Sequence, residues 1–259
     1  TNYILFIAGG IWQKPFVQYL RNKGHKLAIV NPTETETTNF ADYHIKCDIN
    51  NFEEIKKHIN IINPICITSD QSDVSTLIVA ELSELFKLPG NSVETIKKFT
   101  DKLAMYEFSK IIGMPVPQTR LVNSVKNVLD FAKEYNFPII IKPVDSTMSR
   151  GFVKINSKKE ITNEVFNNTL KFSKSKKVIA QKFIEGNMVT MEGVCSGSKH
   201  KTIASSIKIG YFEAGITSAV YYPTNLSDDL LKKIEKANDE YVELAGLNFG
   251  LTHSEYLVC

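Results

Sequence analysis

The 259-residue sequence has little of what marks several common protein classes. Its four cysteines, Cys47, Cys66, Cys195 and Cys259, lie far apart and form no C-x-x-C pair, and the chain opens on no cleavable signal pattern, so a reduced, cytoplasmic setting is expected. The five histidines include no H-E-x-x-H spacing, which argues against a zinc hydrolase. No apolar run approaches the roughly 20 residues that a membrane-spanning helix needs. Lys and Arg exceed Asp and Glu by 31 to 28, and a surplus of +3 is too small to imply a nucleic-acid or membrane partner. The lysines at 171, 174, 176 and 177 read as a solvated face. No repeat or low-complexity segment appears.

What is present is an ordinary globular composition, 43% hydrophobic and 23% charged, enough for a sizeable core. The length suggests two or three domains. Near the start, a strand pattern over Tyr3 to Ala8 is followed by a Gly9-Gly10 turn, a helix over Lys14 to Lys23 and a strand over Lys26 to Val30. A helix over Phe52 to Ile61, a strand over Ile65 to Thr68 and a helix over Val74 to Leu85 continue the alternation, which implies a parallel sheet covered on both faces. The dinucleotide fingerprint fails here: the turn reads Gly9-Gly10-Ile11-Trp12 and the second strand ends in Asn31 rather than an acid. Two readings remain for this turn and the 68–73 loop. They form one wall of a substrate pocket at the sheet's C-terminal edge, or Asp70 and Asp73 merely cap the next helix.

Further on, Ser92 to Gly113 reads as helical, with Ser92 and Thr100 as N-caps and Asp101-Lys102 opening a helix. A strand over Phe137 to Ile141 then delivers Lys142, a small-residue turn follows from Asp145 to Gly151, and Val153 to Ile155 resumes an extended pattern. In this strand–loop–strand, Ser146, Ser149 and Gly151 can turn backbone N–H groups onto phosphate oxygens, with Lys142 and Arg150 supplying positive charge. That arrangement points to a nucleoside triphosphate. Val178 to Ala180 is an apolar strand that runs into Gln181, Lys182, Phe183 and Ile184 and breaks at Gly186; its end can offer backbone groups to a base edge and apolar side chains to its face. Two strands joined by Ser196-Gly197-Ser198, an amphipathic helix over Leu230 to Ala245 and a final strand from Phe249 to Leu257 complete the chain. Gly193-Val194-Cys195-Ser196-Gly197 has the spacing of a nucleophile elbow, but it leads into a second strand, so Cys195 is read as a packed strand residue.

In this order and at these separations the segments resemble the ATP-grasp superfamily, in its carboxylate–amine ligase and carbamoyl phosphate synthase-like branch. The resemblance adds Asp101-Lys102 and Gly113-Met114-Pro115-Val116-Pro117 as the family's lysine-bearing helix and the entry into its lid, and Thr252-His253-Ser254-Glu255 as the strand carrying the first acidic Mg²⁺ ligand. It implies an α/β fold, with a parallel-sheet pre-ATP-grasp domain over 1–91, linking helices over 92–117, a lid over 118–184 and an incomplete C-terminal subdomain over 185–259, the last two forming a two-lobed α+β ATP-grasp domain. The implied cofactors are ATP and Mg²⁺. Lys102, Lys142, Ser146, Ser149, Arg150, Gly151, Gln181, Lys182, Phe183, Ile184 and Met188 would hold the nucleotide, and Glu255 the metal. His253, two residues before Glu255, shares its strand face and reads either as a substrate contact or as a hydrogen-bonded structural histidine.

The implied activity is phosphorylation of a carboxylate by ATP, followed by attack of an amine on the acyl phosphate. Small-molecule acid and amine partners follow, and a homodimer is compatible with the family. Bicarbonate as the acceptor, as in carbamoyl phosphate synthase-like or biotin carboxylase-like enzymes, is the near alternative, and a nucleotide-binding module without turnover is the other. Three departures from the family's pattern bear on this choice. Met188 stands where a ribose-binding glutamate is common, Gln181 stands where a hinge glutamate is common, and the Glu-x-Asn-x-Arg strand expected after Glu255 does not occur before Cys259. On the resemblance, the sequence is expected to be an inactive fragment.

Overall fold

The computed structural model describes residues 3–147, 149–211 and 216–259. The chain divides into two compact units, Thr1–Lys97 and Lys98–Cys259.

The first unit is built on four parallel strands, β1 (Tyr3–Ile7), β2 (Lys26–Val30), β3 (Tyr43–Ile45) and β4 (Pro64–Thr68), in the order β3-β2-β1-β4. Its helices are α1 (Lys14–Asn22), α2 (Phe52–Ile62) and α3 (Asp73–Leu85), and α4 (Val93–Thr100) begins at its end. The apolar run of β1 serves both faces. Leu5 and Ile7 pack with Ile55, Ile59, Ile62 and Leu82 of α2 and α3, while Ile4 and Phe6 pack with Val17 and Leu20 of α1. A strand buried on both sides has no polar face, which is why these segments read as continuous hydrophobic runs. The turn after β1 and the loop after β4 meet: Gln13 Nε2 donates to the Asp70 carbonyl at 2.8 Å, and Ser69 Oγ donates to the Ile7 carbonyl at 2.7 Å.

The second unit opens with α5 (Lys102–Ile111) and holds two antiparallel sheets. The smaller, lid-like sheet has the order β5-β8-β6-β7, from β5 (Thr119–Val122), β6 (Ile139–Pro143), β7 (Val153–Ile155) and β8 (Val178–Lys182). One face is covered by α6 (Val125–Tyr135) and α7 (Asn163–Lys171), through a core of Ile139, Ile141, Val178, Ala180, Phe131 and Phe166. The other sheet has the order β11-β10-β9-β12, from β9 (Asn187–Ser196), β10 (Lys199–Tyr211), β11 (Ile216–Tyr221) and β12 (Phe249–Val258), with α8 (Asp228–Ala245) between the last two strands. Tyr241 of α8 is the meeting point of this unit's helices. Its ring takes edge contacts from Phe99 and Phe108 at 5.7 and 5.4 Å, and its hydroxyl donates to the Lys98 carbonyl at 2.6 Å. No helix among the described residues is long and apolar enough to cross a membrane.

Several boundaries differ from the sequence reading for identifiable reasons. The helical segment from Ser92 to Gly113 is two helices, and the second N-cap is Asp101, whose side chain accepts from the amides of Leu103 and Ala104 at 2.8 and 3.0 Å. Thr100 therefore ends a helix rather than capping one, whereas Ser92 accepts from the Thr95 amide as expected. The strand leading to Lys142 begins at Ile139, two residues late: Pro138 has no N–H to give a ladder, and its carbonyl takes the Phe183 amide instead. Cys195 is a buried strand residue whose Sγ donates to the Leu247 carbonyl.

The sheet facing α8 is locked by a buried polar chain. The His200 ring joins Asp239 Oδ1 at 2.8 Å to Thr252 Oγ1 at 2.7 Å, and Asn238 joins Thr202 to the Tyr256 hydroxyl. Gly193 makes room for it, since a Cβ there would lie 2.2 Å from His200 Nε2. Gly193→Ala should therefore destabilise the protein by about 1–3 kcal/mol through overpacking, read as a lowered urea midpoint. The loss should shrink in a His200→Ala background, and equal losses in both backgrounds would show that the imidazole is not the obstacle.

Candidate functional site

The period of two along the lid sheet separates its faces. Ile139, Ile141 and Ala180 point to α6 and α7, so Ile140, Lys142, Ile179 and Gln181 point the other way, with Thr119 beside Gln181 by register. Onto this second face α5 brings Tyr106. Lys142 Nζ donates to the Tyr106 hydroxyl at 3.0 Å and to Gln181 Oε1 at 3.1 Å, and it sits 5.1 Å from the centre of the Tyr106 ring. Lys102, one turn earlier on α5, donates to the Ser146 carbonyl at 2.5 Å. Burial, and then the charge of Lys142, pulls the Lys102 ammonium below its ordinary lysine range. Both lysines rest on neutral oxygens, and neither forms an ion pair with a carboxylate among the described residues. Two half-buried cations that disfavour each other have an electrostatic environment that an anion would relieve.

The loop after β6 is anchored at its base. Although burial pushes the Asp145 carboxyl up, hydrogen bonds from Ser175, Ser173 and Lys174 hold it below the usual range, so this side chain ties the loop to the 173–175 segment. Ser146 is buried beside Lys102. Ser149 has φ 54° and, like Arg150, is exposed. The Arg150 guanidinium folds back onto Thr147, at 3.3 Å from its carbonyl and 3.4 Å from its hydroxyl. Gly151 has φ 77°, and a Cβ there would come within 2.9 Å of Pro143 Cγ, so the loop returns close over the strand it left. Met148 lies outside the described residues.

The strand end read as a base-binding hinge divides between the two faces. Gln181 is buried on the Lys142 face, whereas Lys182 turns away and donates to the carbonyls of Asn136 and Phe137 at 3.1 and 3.4 Å. The amides of Lys182 and Phe183 are committed to Gln118 and Pro138 carbonyls, which removes them as free donors to a base. The Phe183 ring lies under Lys154 Nζ at 3.9 Å, and Ile184 is half-buried beside it in sequence. Lys154 pairs across from Ile140 and so adds a third cation to the Lys142 face.

On the larger sheet, register gathers Met188, Thr190 and Glu192 of β9, Lys208 of β10, and His253 and Glu255 of β12 on the face away from α8. Glu255 pairs with Lys208, and the His253 ring stands 2.7 Å from Glu192 Oε1 and 3.7 Å from Glu255 Oε1. Met188 is half-buried and lies directly across from Lys208. Among the described residues no three His, Cys, Asp or Glu side chains are grouped to hold a metal ion. The Glu255 carboxylate is thus met by cationic side chains. The His253 ring at 3.7 Å, and then the hydrogen bond from Lys208, outweigh burial and hold it down to about 2.

The sequence reading did not single out Tyr106, Thr119, Lys154, Glu192 or Lys208. For Tyr106 a signal exists, since it lies four residues after Lys102 and therefore on the same helix face. For Lys208 none does, because only strand pairing brings it to Glu255.

The carboxylates of Glu255, 3.7 Å away, and of Glu192, hydrogen-bonded at 2.7 Å, outweigh partial desolvation and push the His253 imidazole up to about 9. Because the folded value is raised, its stabilising contribution is full below the unfolded value of about 6.5 and is lost as pH rises through the folded one. An NMR titration should find His253 protonated at neutral pH, and Glu192→Gln should bring its midpoint down. A wild-type midpoint near the ordinary histidine value would contradict the pairing.

Comparison with known proteins agrees with this arrangement. A family model described as an ATP-grasp domain matches residues 99–248, more than half of the chain. Among solved structures, an L-amino acid ligase from Bacillus licheniformis superposes with a TM-score of 0.83 at 15% identity, covering 100% of this chain and 64% of that one. An N5-carboxyaminoimidazole synthetase from Staphylococcus aureus, complexed with ADP, gives 0.80 at 17%, covering 100% and 68%. A biotin carboxylase from Campylobacter jejuni, in a β-γ-ATP complex, gives 0.83 at 14%, covering 100% and 62%. This chain thus spans about two thirds of the length of the structures it matches, and at these identities the likeness is one of fold. With the domain match covering most of the second unit, the chain belongs to the ATP-grasp family.

Proposed function

We propose that this chain binds ATP beside the Lys142-bearing face of its lid sheet and belongs to a ligase that activates a carboxylate as an acyl phosphate for attack by an amine. The carrying observation is the convergence of Lys102 and Lys142, from a helix start and a strand end, with only neutral oxygens as partners. Phosphoryl transfer depends chiefly on positioning and on charge neutralisation, and these two ammonium groups suit the phosphate chain. Ile140 and Ile179 on the same face are themselves buried, so they pack beneath the lysine. In the proposed reaction the carboxylate oxygen bonds to the γ-phosphorus as ADP leaves, and the amine then displaces phosphate from the acyl carbon.

Mg²⁺ needs more than the described residues offer. Glu255 alone, already met by Lys208 and His253, does not make a metal site, so no step is assigned through the ion. That same pairing favours a second reading, nucleotide binding without turnover. A third keeps the phosphoryl transfer but has bicarbonate as acceptor, and it rests on the likeness to biotin carboxylase.

Lys142→Ala should remove a charge-assisted contact worth about 1.5–3 kcal/mol, weakening ATP or ADP binding by roughly tenfold or more while the protein remains folded. Calorimetric titration measures this, and unchanged affinity in a folded variant would remove Lys142 from the site.

Product release separates the three readings. ADP and phosphate release that requires an amino acid or another small carboxylate supports the ligase, release that requires bicarbonate supports the third reading, and binding with no release under either condition supports the second.

A further inference from the structure

Lys142 is held by a chain of hydrogen bonds whose donors and acceptors can be ordered. Thr119 Oγ1 donates to the Pro117 carbonyl at 2.9 Å, so it meets Gln181 Nε2, 2.8 Å away, as an acceptor. The Gln181 amide is thereby oriented with Nε2 toward Thr119 and Oε1 toward Lys142. Tyr106 donates its hydroxyl proton to that same Oε1, at 3.5 Å, which leaves its oxygen lone pairs for the Lys142 ammonium at 3.0 Å. The ammonium lies 5.1 Å from the centre of the Tyr106 ring, out beyond its hydroxyl. Each partner attracts a cation without cancelling its charge.

We propose that Tyr106 is a positioning residue, holding the half-buried Lys142 ammonium in place for an incoming phosphate chain, with Thr119 and Gln181 fixing its orientation. This role rests on the nucleotide reading of the site. A carboxylate in the tyrosine's place would hold Lys142 more firmly but would compete with phosphate for it. A hydroxyl holds it in one rotamer and gives it up for a phosphate oxygen, keeping its own bond to Gln181. The groups facing Tyr106 are Lys142 from β6, Gln181 from β8, Thr119 from β5 and Lys102 from its own helix, while Glu107, Lys110 and Arg120 line the cleft on its other side. Burial raises the Tyr106 phenol, but the Lys142 charge and hydrogen bond, with smaller contributions from Gln181 and Lys102, bring it below its ordinary value.

The test uses Tyr106→Phe, which keeps the ring and removes the hydroxyl, and Lys142→Met. Calorimetry with ADP and with inorganic tripolyphosphate should show about tenfold weaker binding of both probes by Tyr106→Phe, with an unchanged melting temperature. The two probes should lose equally, since the defect lies at the phosphates. Ultraviolet difference titration, wild type against Tyr106→Phe, should isolate one tyrosine ionising below about 10, and Lys142→Met should move that ionisation upward. The coupling checks the contact itself, whereas a purely structural tyrosine would leave the affinity for both probes unchanged. Equal affinities of wild type and Tyr106→Phe, or an ionisation that ignores Lys142→Met, would overturn the positioning role alone. Failure of the wild type to bind either probe would overturn the nucleotide reading together with it.

Discussion

Two ammonium groups share one half-buried face of the second unit, and neither is neutralised by a carboxylate. Like charges brought together out of bulk water repel, and the protein offsets this with carbonyl, amide and hydroxyl oxygens and with the more distant carboxylates of Asp145 and Asp101. Much of the unit follows from keeping that arrangement intact. Asp101 restarts the helix so that Lys102 stands in its first turn. The Lys102 amide is tied to the Val144 carbonyl, which joins that turn to the end of the strand bearing Lys142. Asp145, the nearest acid along the loop, is drawn off by three donors in the 173–175 segment.

Both antiparallel sheets divide their labour by face. Each gives one side to a helix-covered core and gathers its charged groups on the other, and period-two alternation makes the division automatic once register is set. The charged faces are handled in different ways. On the lid sheet the cations lack anionic partners, whereas on the larger sheet Glu192, His253, Glu255 and Lys208 pair off among themselves. The first keeps its charge unpaired among the described residues, and the second is already neutralised from within.

Much of this order was legible in the sequence. The alternation of strands and helices in the first unit, the strand–loop–strand around Lys142, and the hairpin at 196–198 all stand where apolar runs and turn residues place them. β3 was not legible, because it is three residues long with His44 at its centre. β11 was missed as well; its exposed residues form an edge strand with no buried stripe to mark it. At the candidate site, Lys102 and Lys142 could be picked out one at a time by local context. Their partners could not, since Tyr106 meets Lys142 across 36 residues and Lys208 meets Glu255 across 47. Those contacts belong to pairing register and to helix docking, which no local window contains.

α5 carries Tyr106 toward the lid sheet and Phe108 toward Tyr241 of α8. Two residues along an α-helix turn through about 200°, so these side chains leave opposite sides of the same rod. The helix is therefore intolerant in a particular way. Side chains along it can be exchanged with local effects, but one residue gained or lost between the Asp101 cap and Phe108 would rotate everything beyond it by about 100°. Either Tyr106 would swing away from the lysine or Phe108 away from its ring partner. In descent, this segment is expected to vary by replacement while keeping its length.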